Sequence, residues 1–526
     1  MKLLRASATV GLFTLLSRIL GLVRDILMAR YLGAGVINDA LVTAMKLPNL
    51  FRRMFAEGAF NAAFVPLYAR RLEEEGEAGA ARFAGEALAA LGVLVLLIVA
   101  FFEITMPWSL NMVGFGLDRV GEGGDPAPYD LAVTYARLTM PYLALMSVGA
   151  LVSGMLNTHA RFVAAAFAPA LLNILLIGIL TATPLMGWDL PDIGLWVSLG
   201  MSVSGIAQVL LLFAALKRAG IGLRIPRPRL TPGVRRLVIL GFPGLIAAGI
   251  TQINITVSHS IATLQNSAAS WLYYSDRLYQ LPLGLIGIAL GIALLPSLSR
   301  SLRGGRESEA AFTQNRGLEF AALLTLPAAV ALFVIPDTLI GGLFERGRFD
   351  ATDTTQAARA LRMFALGLPA FVLLKVLTPA FFAREDTRTP MVWAAVSAIV
   401  NLVLGASLFF YGSGGIGGFV GLALATSVAA WVNVIGLSLI LARRRTFALD
   451  SRLISRLPRI LLASAGLGAA LLWLGPWGQA RFTGAMLNDY LWLLVVVGAG
   501  GALYGVLVLI FRAVRPADLR SALAKS

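Results

Sequence analysis

The residues of this chain with chemistry to offer are arginines and carboxylates set inside otherwise apolar stretches. Near the start, Ser17-Arg18-Ile19-Leu20-Gly21-Leu22-Val23-Arg24-Asp25 places Arg18 and Asp25 seven apart, two helical turns along one face, with Arg24 at the margin of that stripe. A second stretch carries Asp39, Lys46, Asn49, Arg52, Arg53 and Glu57, with Asp39, Lys46 and Arg53 again repeating every seven residues. A third, Tyr273-Tyr274-Ser275-Asp276-Arg277, adds one more cation beside an acid. A charge at the centre of a membrane helix costs about 2.5–3.5 kcal/mol on insertion scales, so such residues face a cavity or a partner. Ion pairs such as Arg24 with Asp39, or Arg53 with Glu57, are one reading, and snorkelling of Arg52 or Arg53 to an interface is another. In aggregate, Arg18, Arg24, Lys46, Arg52, Arg53 and Arg277 outnumber Asp25, Asp39, Glu57 and Asp276. That excess suits an anionic ligand, and the guanidinium fork suits a phosphate or pyrophosphate bound bidentately.

Other residues offer less. Lys375, Arg359 and Arg362 belong either to the same cavity or to its outer rim. His259 reads as a hydrogen-bonded polar residue in a helix, His159 as a loop residue, and Glu73-Glu74-Glu75-Gly76-Glu77 as a solvated loop. The glycines of 284–291 suit close helix packing, and no Lys-Ser/Thr follows them as a phosphate loop requires. No ATPase is encoded, so any work draws on an ion gradient, the membrane potential or the substrate's own gradient. The chain has no cysteine, which excludes disulfides, thiolate zinc sites and cysteine nucleophiles. With only two histidines, neither a catalytic group nor a metal site is expected.

The elements that must hold these charges follow from composition. Of 526 residues, 58% are hydrophobic and 14% charged, with a mean hydropathy of +0.79. Soluble domains carry about 25% charged residues, so the apolar excess belongs in a bilayer. A span needs about 20 apolar residues. Long apolar runs, together with three charge-bearing segments that are helical by pattern (the first, second and tenth), predict fourteen helices, near 6–31, 38–69, 84–107, 131–158, 162–184, 193–216, 235–261, 268–299, 313–335, 355–383, 390–411, 417–442, 458–475 and 489–511. The first apolar run continues through Arg18 and Arg24 with no small-residue cleavage site, which predicts a retained helix rather than a signal peptide. On alternate loops Lys and Arg divide 29 against five, which predicts both termini in the cytoplasm and assigns most of the +16 net charge to topology rather than to nucleic acid.

An internal repeat organises the helices. Pro141 is followed 32 residues later by Asn173, and Pro369 likewise by Asn401, an offset of 228, with a polar turn inside each interval. Six helices per half imply a parallel repeat, an arrangement in which transporters set their substrate path at the interface between halves. The expected architecture is an all-α polytopic membrane protein of about fourteen helices: 1–218 as a first lobe with helices 1–6, 231–445 as a second with helices 7–12, and 446–526 with helices 13 and 14 and a cytoplasmic tail.

At this point the residues match something specific. The Ser17–Asp25 stretch, Gly33-Ala34-Gly35 with Asp39-Ala40, Lys46-Leu47-Pro48-Asn49-Leu50-Phe51-Arg52-Arg53-Met54-Phe55-Ala56-Glu57-Gly58-Ala59-Phe60 and Phe64-Val65-Pro66 closely resemble the MurJ (MviN) lipid II flippase family. Further matches are Asn157 with Arg161-Phe162, Ala168-Pro169 with Asn173, and Tyr273–Leu278. The resemblance covers essentially the whole chain. It implies the fold of the multidrug/oligosaccharidyl-lipid/polysaccharide (MOP) exporter superfamily, two six-helix lobes with alternating access between them. It also implies transfer of lipid II, an undecaprenyl-pyrophosphate-linked peptidoglycan precursor, to the outer leaflet of the bacterial inner membrane. Carried over by motif, Arg18, Arg24, Asn49, Arg52, Arg53 and Arg277 are expected to bind substrate, and Asp25, Asp39, Glu57 and Asp276 to line or gate the cavity. The two extra helices are implied to form a groove for the polyprenyl tail.

The chain departs from the family in two places. Tyr279-Gln280 stands where some members carry an acid soon after the Asp-Arg pair, and no carboxylate lies between Arg236 and Asp276, where some have a sodium-ligating aspartate. Coupling to the membrane potential or to another ion stays open, and no cofactor or metal is expected. Lipid II, membrane lipids and cell-wall synthesis proteins are the expected partners of a monomer that binds no nucleic acid. The alternatives are a polysaccharide-lipid flippase, a cation-coupled drug exporter, whose cavity would be apolar or acidic, and a non-transporting scaffold, which would tolerate neutralisation of the buried charges. An integral-membrane transferase is a poorer one, since no acidic metal-binding cluster is present.

Overall fold

A computed structural model describes residues 2–54, 59–117, 128–481 and 486–514, and the regular elements among them are helices. Expectations at Glu57, at Arg119 and in the tail beyond residue 514 lie outside the described residues. The chain divides into two compact units between Ser270 and Trp271.

The first unit holds α1 (Lys2–Leu32), α2 (Val36–Ala44), α3 (Lys46–Arg52), α4 (Ala59–Gly114), α5 (Pro128–Thr139), α6 (Pro141–Thr158), α7 (Phe162–Met186), α8 (Leu190–Arg218) and α9 (Pro232–Ala262). The stretch expected as one helix over 38–69 is interrupted. It turns at Met45 after α2, and Pro48 sits in the first turn of α3, where its missing N–H has no intrahelical acceptor to lose. Likewise 131–158 breaks at Met140, and Pro141 opens α6 at its first position. The acidic stretch around Glu74 is helical rather than a loop: Arg70 pairs with Glu74 at 2.7 Å and Arg71 with Glu75 at 3.0 Å, one turn apart. α4 bends at Gly76, whose φ of 71° is a conformation that side chains with a Cβ rarely adopt.

The second unit holds nearly all of α10 (Ala268–Arg303), then α11 (Glu307–Val334), α12 (Pro336–Phe344), α13 (Ala351–Phe382), α14 (Arg388–Tyr411), α15 (Phe419–Arg443), α16 (Ser451–Gln479) and α17 (Met486–Ile510). α9 groups with the first unit because Ser260 donates to the Met112 carbonyl on α4 at 2.9 Å and His259 bonds Thr43 on α2. The sequence repeat assigns that segment to the second half.

Ten helical stretches among the described residues are long and apolar enough to cross a membrane. The other expected segments are helical too: α1, α9 and α10 stand as separate long helices, and α4 supplies two segments around Gly76. The packing shows what surrounds them. On α4, Leu91, Val95, Met106 and Leu110 are buried, whereas Leu97, Phe101, Ile104, Trp108 and Met112, spaced by three and four, are the exposed stripe. A helix apolar on both its packed and its exposed face has lipid outside it.

The repeat is visible inside each unit. Ser202 on α8 donates to the Leu138 carbonyl on α5 at 2.6 Å, and Ser427 on α15 donates to the Met363 carbonyl on α13 at 2.6 Å. Ala160 and Glu385, in the turns opening α7 and α14, share a positive φ of 56° and 62°. Both pairs are separated by 225 residues, as are Gly220 and Arg445 after α8 and α15. The backbone register is thus three residues shorter than the 228 read from Pro and Asn. Three residues are close to one turn, so Asn173 and Asn401 still fall on nearly the same face of their helices.

Candidate functional site

Arg24 is a largely buried cation of the first unit. Its side chain is 12% exposed and that of Asp25 3%. The Arg24 Nε and Nη2 donate to Asp25 Oδ1 at 3.0 and 2.7 Å, and Nη1 donates to Asn173 Oδ1 on α7 at 3.0 Å. Asn173 Nδ2 in turn donates to the Ser17 carbonyl at 3.0 Å. Ser17, Gly21 and Arg24 lie along one face of α1, and Asn173 lies across it, in van der Waals reach of Gly21. Arg18 is exposed and forms no ion pair among the described residues.

A few residues on, α2 presents Asn38 and Asp39, both fully or almost fully buried. Asp39 Oδ1 accepts the Ser270 backbone N–H at 2.7 Å and its hydroxyl at 2.5 Å, and Asn38 Nδ2 donates to the same hydroxyl at 3.0 Å. Ser270 closes the first unit and stands in the opening turn of α10, where a carboxylate is favoured by the unpaired N–H groups and the helix dipole. Thr43 Oγ1 lies 2.9 Å from His259 Nε2, so this histidine is the bonded polar residue its apolar setting predicts. His159, expected in a loop, sits in the α6–α7 turn with Nε2 3.0 Å from the Tyr68 hydroxyl.

On α3, Arg52 is half-buried and its Nε donates to Asn49 Oδ1 at 3.2 Å, while Arg53 is exposed. Glu57, the expected partner of Arg53, lies outside the described residues. In the second unit, Asp276 accepts from Gln280 one turn on, and Arg277 lies 4.7 Å over the Tyr273 ring with Nη2 donating to its hydroxyl at 3.0 Å. α10 is fixed on α13 by the Trp271 indole N–H on Asp353 and by the Ser275 hydroxyl on the Ala357 carbonyl.

The arginines near the start of α13 are fastened to a loop and to α12. Arg359 donates to the Gly415 carbonyl and Arg362 pairs with Asp337 at 2.7 Å. Lys375 is exposed. Arg24 pairs with its neighbour Asp25, and Asp39, read from the sequence as one partner for it, is bonded to Ser270. Two further charged groups were not singled out from the sequence. Glu319 on α11 takes Arg316, Arg452 and Arg456, and Arg316 also pairs with Asp450. Arg346 pairs with Asp489 at 3.0 Å under the Tyr490 ring. Their signal was present as acids flanking the apolar runs of α11 and α17, but which arginines they meet is set by chain segments more than a hundred residues apart.

An all-helical, multi-pass membrane protein with buried, hydrogen-bonded charges inside its apolar helices is a membrane transporter by class. Residues 28–491 match the family model described as lipid II flippase MurJ. The chain belongs to the lipid II flippase MurJ family. It is 45% identical over 471 residues to a probable lipid II flippase of Rhizobium meliloti (strain 1021), covering 90% of this chain and 86% of that one. A lipid II flippase of Burkholderia cenocepacia is 35% identical over 450 residues, with 84% of each chain covered. Among solved structures, the lipid II flippase MurJ in an inward closed conformation superposes with a TM-score of 0.77 at 24% identity, over 95% of this chain and 98% of that one. An inward-facing multidrug resistance MATE family transporter of the MOP superfamily superposes at 0.66 with 14% identity, over 82% and 94%. Both share their fold with this chain.

Proposed function

We propose that this chain carries lipid II from the cytoplasmic to the periplasmic leaflet of the bacterial inner membrane by alternating access, with no covalent step. The observation that carries the site is Arg24, a cation sunk in α1 and held in place by Asp25 and Asn173. Such a guanidinium grips a pyrophosphate bidentately once the ligand displaces part of its internal pairing. Arg18, Arg53 and the Asn49–Arg52 pair add cationic and polar groups on α1–α3 and the residue after it, and Arg277 on α10 is a further residue proposed to bind substrate. Asp25, Asp39, Glu57 and Asp276 are the carboxylates proposed to line and gate the path. Asp25 also neutralises Arg24 while the site is empty, which eases the return step.

Both termini are proposed to face the cytoplasm, supported by the 29 to five division of loop cations. The protein works as a monomer, with membrane lipids and cell-wall synthesis proteins as further partners. The drive is proposed to come from the membrane potential or an ion gradient. The test is Arg24→Ala, assayed by complementation of a flippase-depleted strain and by lipid II translocation in vesicles with potential and ion gradients varied separately. The variant is expected to reach the membrane in normal amount and to lose translocation by tenfold or more, the loss of one charge-assisted contact being worth about 1.5–3 kcal/mol. Wild-type translocation by Arg24→Ala would remove the pyrophosphate site from this reading.

A further inference from the structure

We infer that Asn173 is a positioning residue for Arg24, and that its amide, rather than a carboxylate, is what leaves the arginine able to accept an anion. The inference rests on the reading of Arg24 as a pyrophosphate ligand. Asn173 is 6% exposed, at a depth of α7 where every neighbour in sequence from Leu171 to Leu176 is apolar. A polar group there is retained only where it is bonded. Both ends of its amide are used on α1: Oδ1 accepts from Arg24 Nη1 and Nδ2 donates to the Ser17 carbonyl, each at 3.0 Å. The second bond determines the first, because a flipped amide would set two carbonyl oxygens, or an NH2 and a guanidinium, against each other. Asn173 therefore locks one edge of the guanidinium while Asp25 holds Nε and Nη2.

The two holders differ in charge. Asp25 already balances Arg24, so an oxygen on a second carboxylate would make the set net negative and repel a phosphate. An amide oxygen supplies the same geometry without that charge. A purely structural staple between α1 and α7 would behave differently: an aspartate at 173 keeps the volume and the acceptor for Arg24 but loses the N–H on the Ser17 carbonyl, and would then weaken binding of both lipids alike rather than of the pyrophosphate alone.

The two accounts separate in a binding assay on the purified full-length chain in nanodiscs, with undecaprenyl pyrophosphate and undecaprenol as probes. The measured quantity is the ratio of affinities for the two lipids, which isolates the pyrophosphate. Asn173→Ala is expected to lower that ratio about tenfold, the worth of one hydrogen bond to a charged group. Asn173→Asp is expected to lower it further, since like charges facing each other oppose binding. Combined with Arg24→Ala, Asn173→Ala is expected to add no more than about twofold, because residues that act through one another are not additive. An equal loss from Asn173→Ala with and without Arg24, or a wild-type ratio in Asn173→Asp, overturns the inference. Should Asn173→Ala not fold, Asn173→Asp, which keeps size and acceptor, decides alone. A wild-type ratio in Arg24→Ala instead overturns the reading of Arg24, and the inference with it, so the two failures are told apart.

Discussion

Asp39 shows how much one buried carboxylate arranges. Its Oδ1 takes both the backbone N–H and the hydroxyl of Ser270, so α2 is stitched to the opening turn of α10 through a single oxygen while Asn38 holds the same hydroxyl from the other side. Replacing it by asparagine keeps one acceptor oxygen but removes the charge that makes both bonds strong. Asp39→Asn is expected to lower stability by about 1–3 kcal/mol, read as a lower unfolding midpoint of the purified protein, and an unchanged midpoint would show that Ser270 finds another acceptor. That Asp39 matters was legible from its place in an apolar stretch. Its partner was not, because Ser270 lies 231 residues away and serines are common.

At the scale of elements, close approaches and caps decide where the helices sit. Gly116, just after α4, donates its N–H to the Thr263 hydroxyl, and a Cβ there would fall 2.3 Å from the Thr263 and Leu264 backbone. Backbone cannot yield as a side-chain tip does. Gly116→Ala is therefore expected to destabilise by about 1–3 kcal/mol, with hydrogen exchange rising in the last turn of α9 before it rises elsewhere.

The start of α14 is a cap with a pH signature. Asp386 accepts the Thr389 hydroxyl at 2.7 Å and its N–H at 2.9 Å, with Arg444 at 2.7 Å, and these bonds, Thr389 first, hold its carboxyl down at about 2. A depressed folded value stabilises the protein above the unfolded value of about 3.9 and is lost as pH falls through the folded one. Asp386→Asn should thus unfold at lower temperature than wild type at pH 7, with the gap closing between about pH 4 and pH 2. A gap that does not depend on pH would mean that the charge plays no part. The interruptions at Met45 and Met140 were within reach of the sequence, since Pro48 and Pro141 mark them, but long apolar periodicity outweighed single prolines in drawing the spans.

At the scale of the molecule, α16 and α17 are each fastened within the second unit near their first turns. Glu319, 8% exposed, holds Arg316, Arg452 and Arg456 beside the start of α16, and Arg346 with Asp489 ties the start of α17. Removing one member of such a set leaves the others uncompensated, at about 3–5 kcal/mol. Glu319→Ala is expected to speed hydrogen exchange in the first turns of α16 while leaving the first unit unchanged. Uniform loosening of both units would instead make Glu319 part of the global core. The repeat has the same scale: Ser202 with Leu138 and Ser427 with Met363 make one contact twice, 225 residues apart, and link helices that packing brings together inside each unit.

By itself the sequence determined that the chain lives in a membrane, that it is helical throughout its spans, roughly where those spans fall, which family its motifs resemble and which residues carry charge into apolar surroundings. These follow from composition and from periodicity over a few turns, quantities that belong to neighbouring residues. Only the tertiary structure decided what each buried charge meets: Arg24 with Asp25 and Asn173, Asp39 with Ser270, Glu319 with three arginines. The reason is physical. Apart from near neighbours such as Asp25, partners of a buried charge come from other helices, and a polar residue that the sequence marks only through a repeat and a family resemblance, as it does Asn173, acquires its role only when packing lays it against another helix.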